Sequence, residues 1–315
     1  MVGASQGNSG KNRRGAKLNS FEFVSRASCE LCGCESPIRL LSKPFTTPAV
    51  WDFIDHYYQH RVNRQVLEPT IYEIDRCPKC DFIWQGHILN GVGMAILYDQ
   101  WISAENSFQK KQNSGEETGY RRQVEVIQAF MPQKPLADIR VLDFGMGWGY
   151  WCMAAKQAGY QVTGIEIADT RLEFTRKQGV HAVSSLDELG TETFDFINAE
   201  QVFEHIPNPL ETLKQLTARL APYGVIRIAV PDGKNIAHEV AQTDWKASKN
   251  AIHPLEHINC FTHNTLSFMG ETAGLKVIPQ PITWSLSNYG KPLFRSLATH
   301  FYRQFWGTVL YFQTR

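Results

Sequence analysis

The sequence predicts an α/β protein, a parallel sheet covered by helices on both faces, preceded by a small cysteine-rich unit. Three observations predict it. Apolar runs and amphipathic stretches alternate from residue 139 onward, the pattern that builds a sheet buried on both sides. The run VLDFGMGWG (141–149) sets three glycines between a strand and a helix. Two Cys-x-x-Cys pairs, Cys29/Cys32 and Cys77/Cys80, lie ahead of that alternation.

Composition bounds the function. With 315 residues, 43% hydrophobic and 20% charged, the chain can bury a sizeable core, which excludes global disorder. No apolar run approaches the roughly 18 residues of a membrane span, and no apolar stretch follows the basic N-terminus, so neither a span nor a secretory signal is expected. Net charge is +1; Lys11, Arg13, Arg14 and Lys17 stand in 1–20 with no acid, leaving −3 for the rest. A body of that sign is a poor polyanion binder, so no nucleic-acid partner is expected. Seven cysteines, an odd number with paired knuckles and no export signal, read as a cytoplasmic metal-binding protein rather than a disulfide framework.

Three regions follow in order. Residues 1–20 are rich in Gly, Ser, Asn and basic residues and are expected to form a disordered tail. Residues 21–88 hold both cysteine pairs and are expected to form a zinc-ribbon-like module. Residues 89–315 form the large α/β domain, opened by helical periodicity from Ile96 to Phe130 that Pro132 and Pro135 terminate. Strands are expected at 139–144, 161–166, 181–185, 194–199, 224–230, 275–284 and 308–314. Helices are expected at 151–158, 170–178, 209–220, 265–273 and 293–305, with Asn208 as N-cap and Pro209 at the first helical position of the third.

Cysteines two residues apart can put both sulfurs on one ion, and two such knuckles complete a tetrahedron. Cys29, Cys32, Cys77 and Cys80 are therefore candidate ligands of a structural zinc, since four thiolates leave no open position. Gly33 and Asp81 follow the pairs where a knuckle needs positive φ. Cys34 could replace a ligand, and an iron–sulfur cluster or free thiols are the alternatives.

The glycine loop could take a dinucleotide or another cofactor. Tyr150 stands where the nicotinamide fingerprint needs its last glycine, and Asp143 precedes the first. A carboxylate there repels a pyrophosphate and attracts a cation. S-adenosylmethionine (SAM), with a sulfonium and an ammonium, fits that sign. Glu166 ends the second strand, where a carboxylate can take both ribose hydroxyls.

On these motifs the segment 139–231 resembles the class I SAM-dependent methyltransferases. VLDFGMGWG is similar to that family's first motif, GIEIAD (164–169) to its ribose-binding strand end, and FDFINAEQVFEHIPNP (194–209) to its fourth strand and following loop. AGLKVIP (273–279) and TVLYFQT (308–314) resemble the sixth strand and the antiparallel seventh. The resemblance implies a Rossmann-like seven-stranded sheet. It also implies that Gly145, Gly147 and Gly149 line the methionine part, Glu166 holds the ribose and Ile167 packs on the adenine. Ser185 and Leu186 would flank the adenine, and Glu200 and Gln201 would face the cofactor. A narrower likeness joins the cysteine module with HPLEHINCFTHNTL (253–266): it is similar to zinc-containing sugar methyltransferases, whose Glu-His pair serves the reaction and falls here on Glu256-His257. The tyrosine of that motif falls on Pro254.

Methyl transfer to a hydroxyl needs a proton acceptor, and a neutral imidazole suits pH 7. His205 and His257 follow the fourth and fifth strands, and Glu256 could orient one of them. The stretch 231–261 is expected to be a lid or acceptor loop. No Asp/Asn cluster has oxygen-ligand spacing, so metal-assisted transfer is not expected. The expected substrate is a small molecule or glycan, with a sugar hydroxyl as acceptor. Methylation of nucleic acid or protein is the competing enzyme reading. A non-catalytic SAM-binding scaffold is the third.

Overall fold

The computed structural model describes residues 21–113, 117–281 and 308–315. The expected tail at 1–20 and helix at 293–305 lie outside the described residues. In chain order the elements are β1 (Phe23–Ser25), β2 (Ile38–Pro44), α1 (Pro48–Tyr57), β3 (Ile71–Arg76), β4 (Ile83–Gln85), β5 (His87–Leu89), α2 (Gly91–Ile96), α3 (Ala104–Asn113) and α4 (Glu117–Phe130). Then follow β6 (Arg140–Phe144), α5 (Tyr150–Gln157), β7 (Gln161–Ile165), α6 (Asp169–Lys177), β8 (His181–Val183), β9 (Phe194–Glu200), α7 (Pro209–Thr217) and β10 (Leu220–Val230). The chain continues with α8 (Ile236–Val240), β11 (Asn259–Cys260), α9 (His263–Thr272), β12 (Leu275–Ile278) and β13 (Thr308–Thr314).

The large sheet has seven strands in the order β12-β13-β10-β9-β6-β7-β8. Six run parallel, and β13 is inserted antiparallel between β10 and β12. This is the Rossmann-like seven-stranded sheet that the resemblance implies. Its central strands are apolar on both faces because helices cover both: Leu142, Ile197, Ile226 and Ile228 fill one layer, Val141, Phe196 and Trp151 the other. The first and last elements of the alternation fall where the sequence places them, and Gly179 and Gly274 close α6 and α9 with φ of 71° and 81°.

Three local expectations differ. Asn208 stands before α7 without a capping bond, at φ −116° and ψ 68°; Pro209 alone sets that start. The helix ends at Thr217, and β10 begins at Leu220, where the chain rejoins the sheet beside Phe194 through a bulge. β12 ends at Ile278 rather than running to 284.

A four-stranded antiparallel sheet, in the order β11-β4-β3-β2, is built mainly from the N-terminal region. Its edge strand β11 comes from residues 259–260, paired with Ile83 and Trp84. Residues 251–261 are buried, packed as a strap in one core with Tyr58, Tyr72, Ile74 and Ile83. The last part of the expected lid, 251–261, is therefore interior chain, because its apolar residues Ile252, Leu255 and Ile258 have the N-terminal sheet to bury against, while 231–250 lies mostly at the surface.

Candidate functional site

Four cysteine sulfurs converge first. The Sγ atoms of Cys29, Cys32, Cys77 and Cys80 all lie within 4.8 Å of one another, with Cys29–Cys80 at 3.5 Å and Cys32–Cys77 at 3.4 Å. A tetrahedral zinc with bonds of about 2.3 Å sets its sulfurs about 3.8 Å apart, so the set fits. The knuckle turns form as the spacing predicts: Gly33 (φ 69°) and Asp81 (φ 62°) donate their amides to Cys29 and Cys77 carbonyls. Cys34 is buried outside this set. Leu31, Phe82 and Trp84 seat the cluster against the main core.

The glycine loop lies at the C-terminal end of β6. All three glycines have left-handed φ: 74° at Gly145, 55° at Gly147 and 71° at Gly149. A Cβ at Gly145 would sit 2.5 Å from Val202 Cγ2, and one at Gly149 2.5 Å from Thr175 Oγ1, whereas one at Gly147 would meet nothing within 4 Å. Gly145 and Gly149 thus fit the loop to its neighbours, and Gly147 faces open space that a ligand can enter. Glu166 closes β7, its Oε1 accepting the Ala168 amide at 2.9 Å, with Arg171 3.8 Å from Oε2. Ile167 beside it is 72% exposed, an apolar side chain open to solvent. Ser185 and Leu186 are half-buried just past β8.

Two predicted cofactor contacts have other partners. The Asp143 carboxyl is turned into the protein, accepting from Asn198 Nδ2 at 2.8 Å and lying 3.5 Å from Cys152 Sγ. Burial pushes its pKa up to about 7, against the Asn198 bond. The Glu200 carboxylate accepts from Arg227 at 3.1 Å and Gln123 at 3.3 Å, and Arg227 also donates to Asn198 at 2.7 Å. These side chains form one network across β6, β9 and β10, buried at Asp143, Asn198 and Arg227 and partly open at Glu200. Gln201 is exposed and left-handed at φ 56°, a strained backbone conformation at the strand end. Trp151 packs in the core, stacked on Phe196 at 6.4 Å.

Two of the candidate acid–base residues meet from two segments. His205 and His257 have ring centroids 4.9 Å apart at 83°. His205 Nδ1 lies 3.0 Å from the Glu256 carbonyl and His257 Nδ1 2.7 Å from the Asn250 carbonyl. A carbonyl only accepts, so each Nδ1 carries the proton and each Nε2 holds a lone pair. Burial, with the neighbouring His257 adding to it, lowers the pKa of His205 to about 3, and burial lowers His257 to about 4. Both imidazoles are neutral at pH 7. Glu256 is 8% exposed and accepts the Tyr58 hydroxyl at 2.8 Å.

Four residues at this site escaped the sequence reading. Glu204 is 1% exposed, has no hydrogen-bond partner for either carboxyl oxygen among the described residues, and is pushed by burial to about 8. His253 is fully buried, its ring 4.0 Å from that of His257. Tyr98 lies in a π-helical turn, Leu97–Trp101, a feature common at functional sites. Burial raises its hydroxyl well above the ordinary phenol range, and the charges of Glu256, Glu166 and Glu204 act on it in the same sense, opposed by Arg171. Tyr58 comes from the end of the N-terminal helix. For Glu204 the adjoining Glu-His pair was a signal; for the others there was none. Glu204, His205 and His257 each offer one ligand atom within 4.8 Å of the others, so this set could hold a metal ion. Spacing hid it because the three come from two loops.

Residues 117–280, just over half of the chain, match the family described as a methyltransferase domain. The chain belongs to the methyltransferase domain family. Over 95 residues this methyltransferase-family chain is 33% identical to a ubiquinone biosynthesis O-methyltransferase of Bordetella avium (strain 197N), covering 27% of this chain and 39% of that protein. Over 101 residues it is 34% identical to the protein of the same name from Actinobacillus pleuropneumoniae serotype 5b (strain L20), covering 28% and 43%. The chain thus spans about two fifths of the length of these curated relatives. Among solved structures, it is similar to the plantazolicin methyltransferase BpumL in complex with SAH, at TM-score 0.49 and 16% identity over 70% of this chain and 94% of that one.

Proposed function

We propose that this methyltransferase-family chain transfers the methyl group of SAM to a hydroxyl of a small molecule or glycan, with a sugar hydroxyl as the acceptor class. One observation carries the reading: two neutral imidazoles, each anchored through Nδ1–H to a backbone carbonyl, keep their Nε2 lone pairs as proton acceptors on segments that follow β9 and β10. The curated relatives are named O-methyltransferases, which supports a hydroxyl acceptor.

The open face at Gly147, the Glu166 carboxylate and the exposed Ile167 fit SAM, whose bound sulfonium would supply the electrophilic methyl. Glu166 would hold the ribose, and Ser185 and Leu186 would flank the adenine. Asp143 and Glu200 serve from beneath, fixing the loop through Asn198 and Arg227. His257 Nε2 takes the acceptor's proton as its oxygen meets the methyl; His205 is the alternate base. The Glu256 carbonyl aims His205, and Glu204 holds a second acceptor hydroxyl. Cys29, Cys32, Cys77 and Cys80 would hold a structural zinc that stabilises the N-terminal sheet. No helix among the described residues is long and apolar enough to cross a membrane.

The test incubates the purified protein and labelled SAM with a panel of nucleotide sugars, free sugars and catechols, beside RNA and peptide controls. Label in a hydroxyl-bearing small molecule is the expected result. Label only in RNA or peptide would overturn the acceptor class, and SAM binding without transfer would favour the scaffold reading.

A further inference from the structure

Arg26 stands three residues before the first ligand of the cysteine cluster and is 6% exposed. Its backbone is held on both sides: the Arg26 amide donates to the Gly86 carbonyl at 2.8 Å, and its carbonyl accepts from Trp84 Nε1 at 3.2 Å. The root of the side chain is thereby fixed to β4 and the turn after it. The guanidinium then reaches across the molecule. It donates to the Pro207 carbonyl at 3.2 Å, the Ile258 carbonyl at 3.1 Å and Asn259 Oδ1 at 2.9 Å. Asn259 continues the bridge, giving its amide hydrogens to the carbonyls of Phe203 at 2.9 Å and Ile206 at 2.6 Å.

These five bonds land on two short segments. Phe203, Ile206 and Pro207 bracket His205, and Ile258 and Asn259 directly follow His257. Few other polar side chains could do this. A planar, forked, permanently charged donor can serve three acceptors from two segments at once. Burial lowers Arg26 only to about 10, so it stays charged at pH 7. Glu30, 3.6 Å from Nε, is the acid beside it. A buried charge is costly unless its donors are used, and here both terminal nitrogens are used on the loops that carry the two histidines, while Nε faces Glu30.

We infer that Arg26, with Asn259, is a positioning residue that holds the His205 and His257 loops in register and ties their geometry to the N-terminal cysteine cluster. This rests on the reading of those histidines as the acid–base pair. It gives the cysteine module a part in the reaction beyond stability. A zinc knuckle fixes the strand that roots Arg26, and Arg26 fixes the loops. Methyl transfer tolerates little misplacement, since displacing a reacting group by about 1 Å can cost roughly 10²-fold.

The test uses Arg26→Lys, which keeps the charge and loses the fork, and Asn259→Ala as the second variant should the first fail to fold. Hydrogen exchange followed by mass spectrometry is read in the full chain with SAM added. Exchange should rise together in 203–207 and 256–259, while 141–144 and 194–199, zinc content and SAM affinity stay as in the wild type. On the hydroxyl acceptor found by the transfer panel, kcat should fall roughly 10–100-fold with KM little changed. In the His257→Ala background the same change should cost almost nothing more, because it acts through that histidine. Unchanged exchange in both segments, or a rise spread over the whole protein, overturns the inference, as does a loss that multiplies with His257→Ala. If His205→Ala and His257→Ala are both fully active, the acid–base reading fails, and the exchange result still decides whether Arg26 braces the loops.

Discussion

Tyr58 donates its hydroxyl to Oε1 of Glu256 at 2.8 Å, across 198 positions of sequence. The bond joins the N-terminal region to the segment that carries His257. Tyr58 is 1% exposed and Glu256 8%, so neither group can turn to water. Tyr58→Phe should cost about 1–3 kcal/mol, the scale of a buried polar group left without its partner. Adding Glu256→Gln should recover part of it. Urea unfolding measures both; a change within about 0.5 kcal/mol would mean that the carboxyl finds another donor.

Freshly purified, reduced protein should carry one zinc per chain. Cys77→Ser should remove it and unfold the N-terminal sheet first, because metal binding contributes directly to folding in such modules. Elemental analysis with limited proteolysis checks this. A metal-free wild type that is as stable as a zinc-loaded one would exclude the assignment.

Glu166→Gln keeps the shape of the side chain and removes the charge that would hold two ribose hydroxyls. SAM affinity should fall by roughly 1.5–3 kcal/mol, the range for charge-assisted hydrogen bonds, with the fold intact. Calorimetry reads it directly. Equal affinity in the two proteins would move the ribose elsewhere.

The pH dependence follows from burial. A free histidine titrates near 6.5, but His257 is held at about 4, chiefly by burial. The acid limb of kcat should therefore lie near 4, and His257→Ala should lower turnover by roughly 10²–10⁴-fold. Stability carries the same signature. The unfolded chain binds a proton at His257 below about 6.5 while the folded one stays neutral down to about 4, so stability is complete above that window and falls as pH drops through it. Glu204, raised to about 8 from 4.5, acts in the opposite sense between those values. The difference between wild type and His257→Gln isolates the histidine: the two unfolding curves should diverge between pH 6.5 and 4. Parallel curves would mean that His257 is solvated in the folded protein.

Much of this protein was legible in its sequence. The seven-stranded sheet, the glycine loop and the paired cysteine knuckles are local patterns with a local cause. Alternating apolar stretches need a two-sided sheet, positive φ needs Gly145, Gly147 and Gly149, and a thiolate pair needs a two-residue gap. TVLYFQT reads as a strand by composition and is one over the same residues, Thr308–Thr314. The acid–base candidates were legible as residue types, since His205 and His257 stand in loops at strand ends.

What the tertiary structure decided is who meets whom. Residues 251–261, a loop by sequence, became buried strap and sheet edge because the N-terminal strands offered unpaired backbone and an apolar face. That choice brought Tyr58 to Glu256, Arg26 to the loops of both histidines and His253 against His257. Packing of β6 against β9 likewise set the Asp143 carboxyl on Asn198. Periodicity and motif spacing encode what a residue does to its own few neighbours. Contacts between residues distant in sequence depend on which faces are left to bury once the local elements have formed, and that is settled only when the whole chain packs.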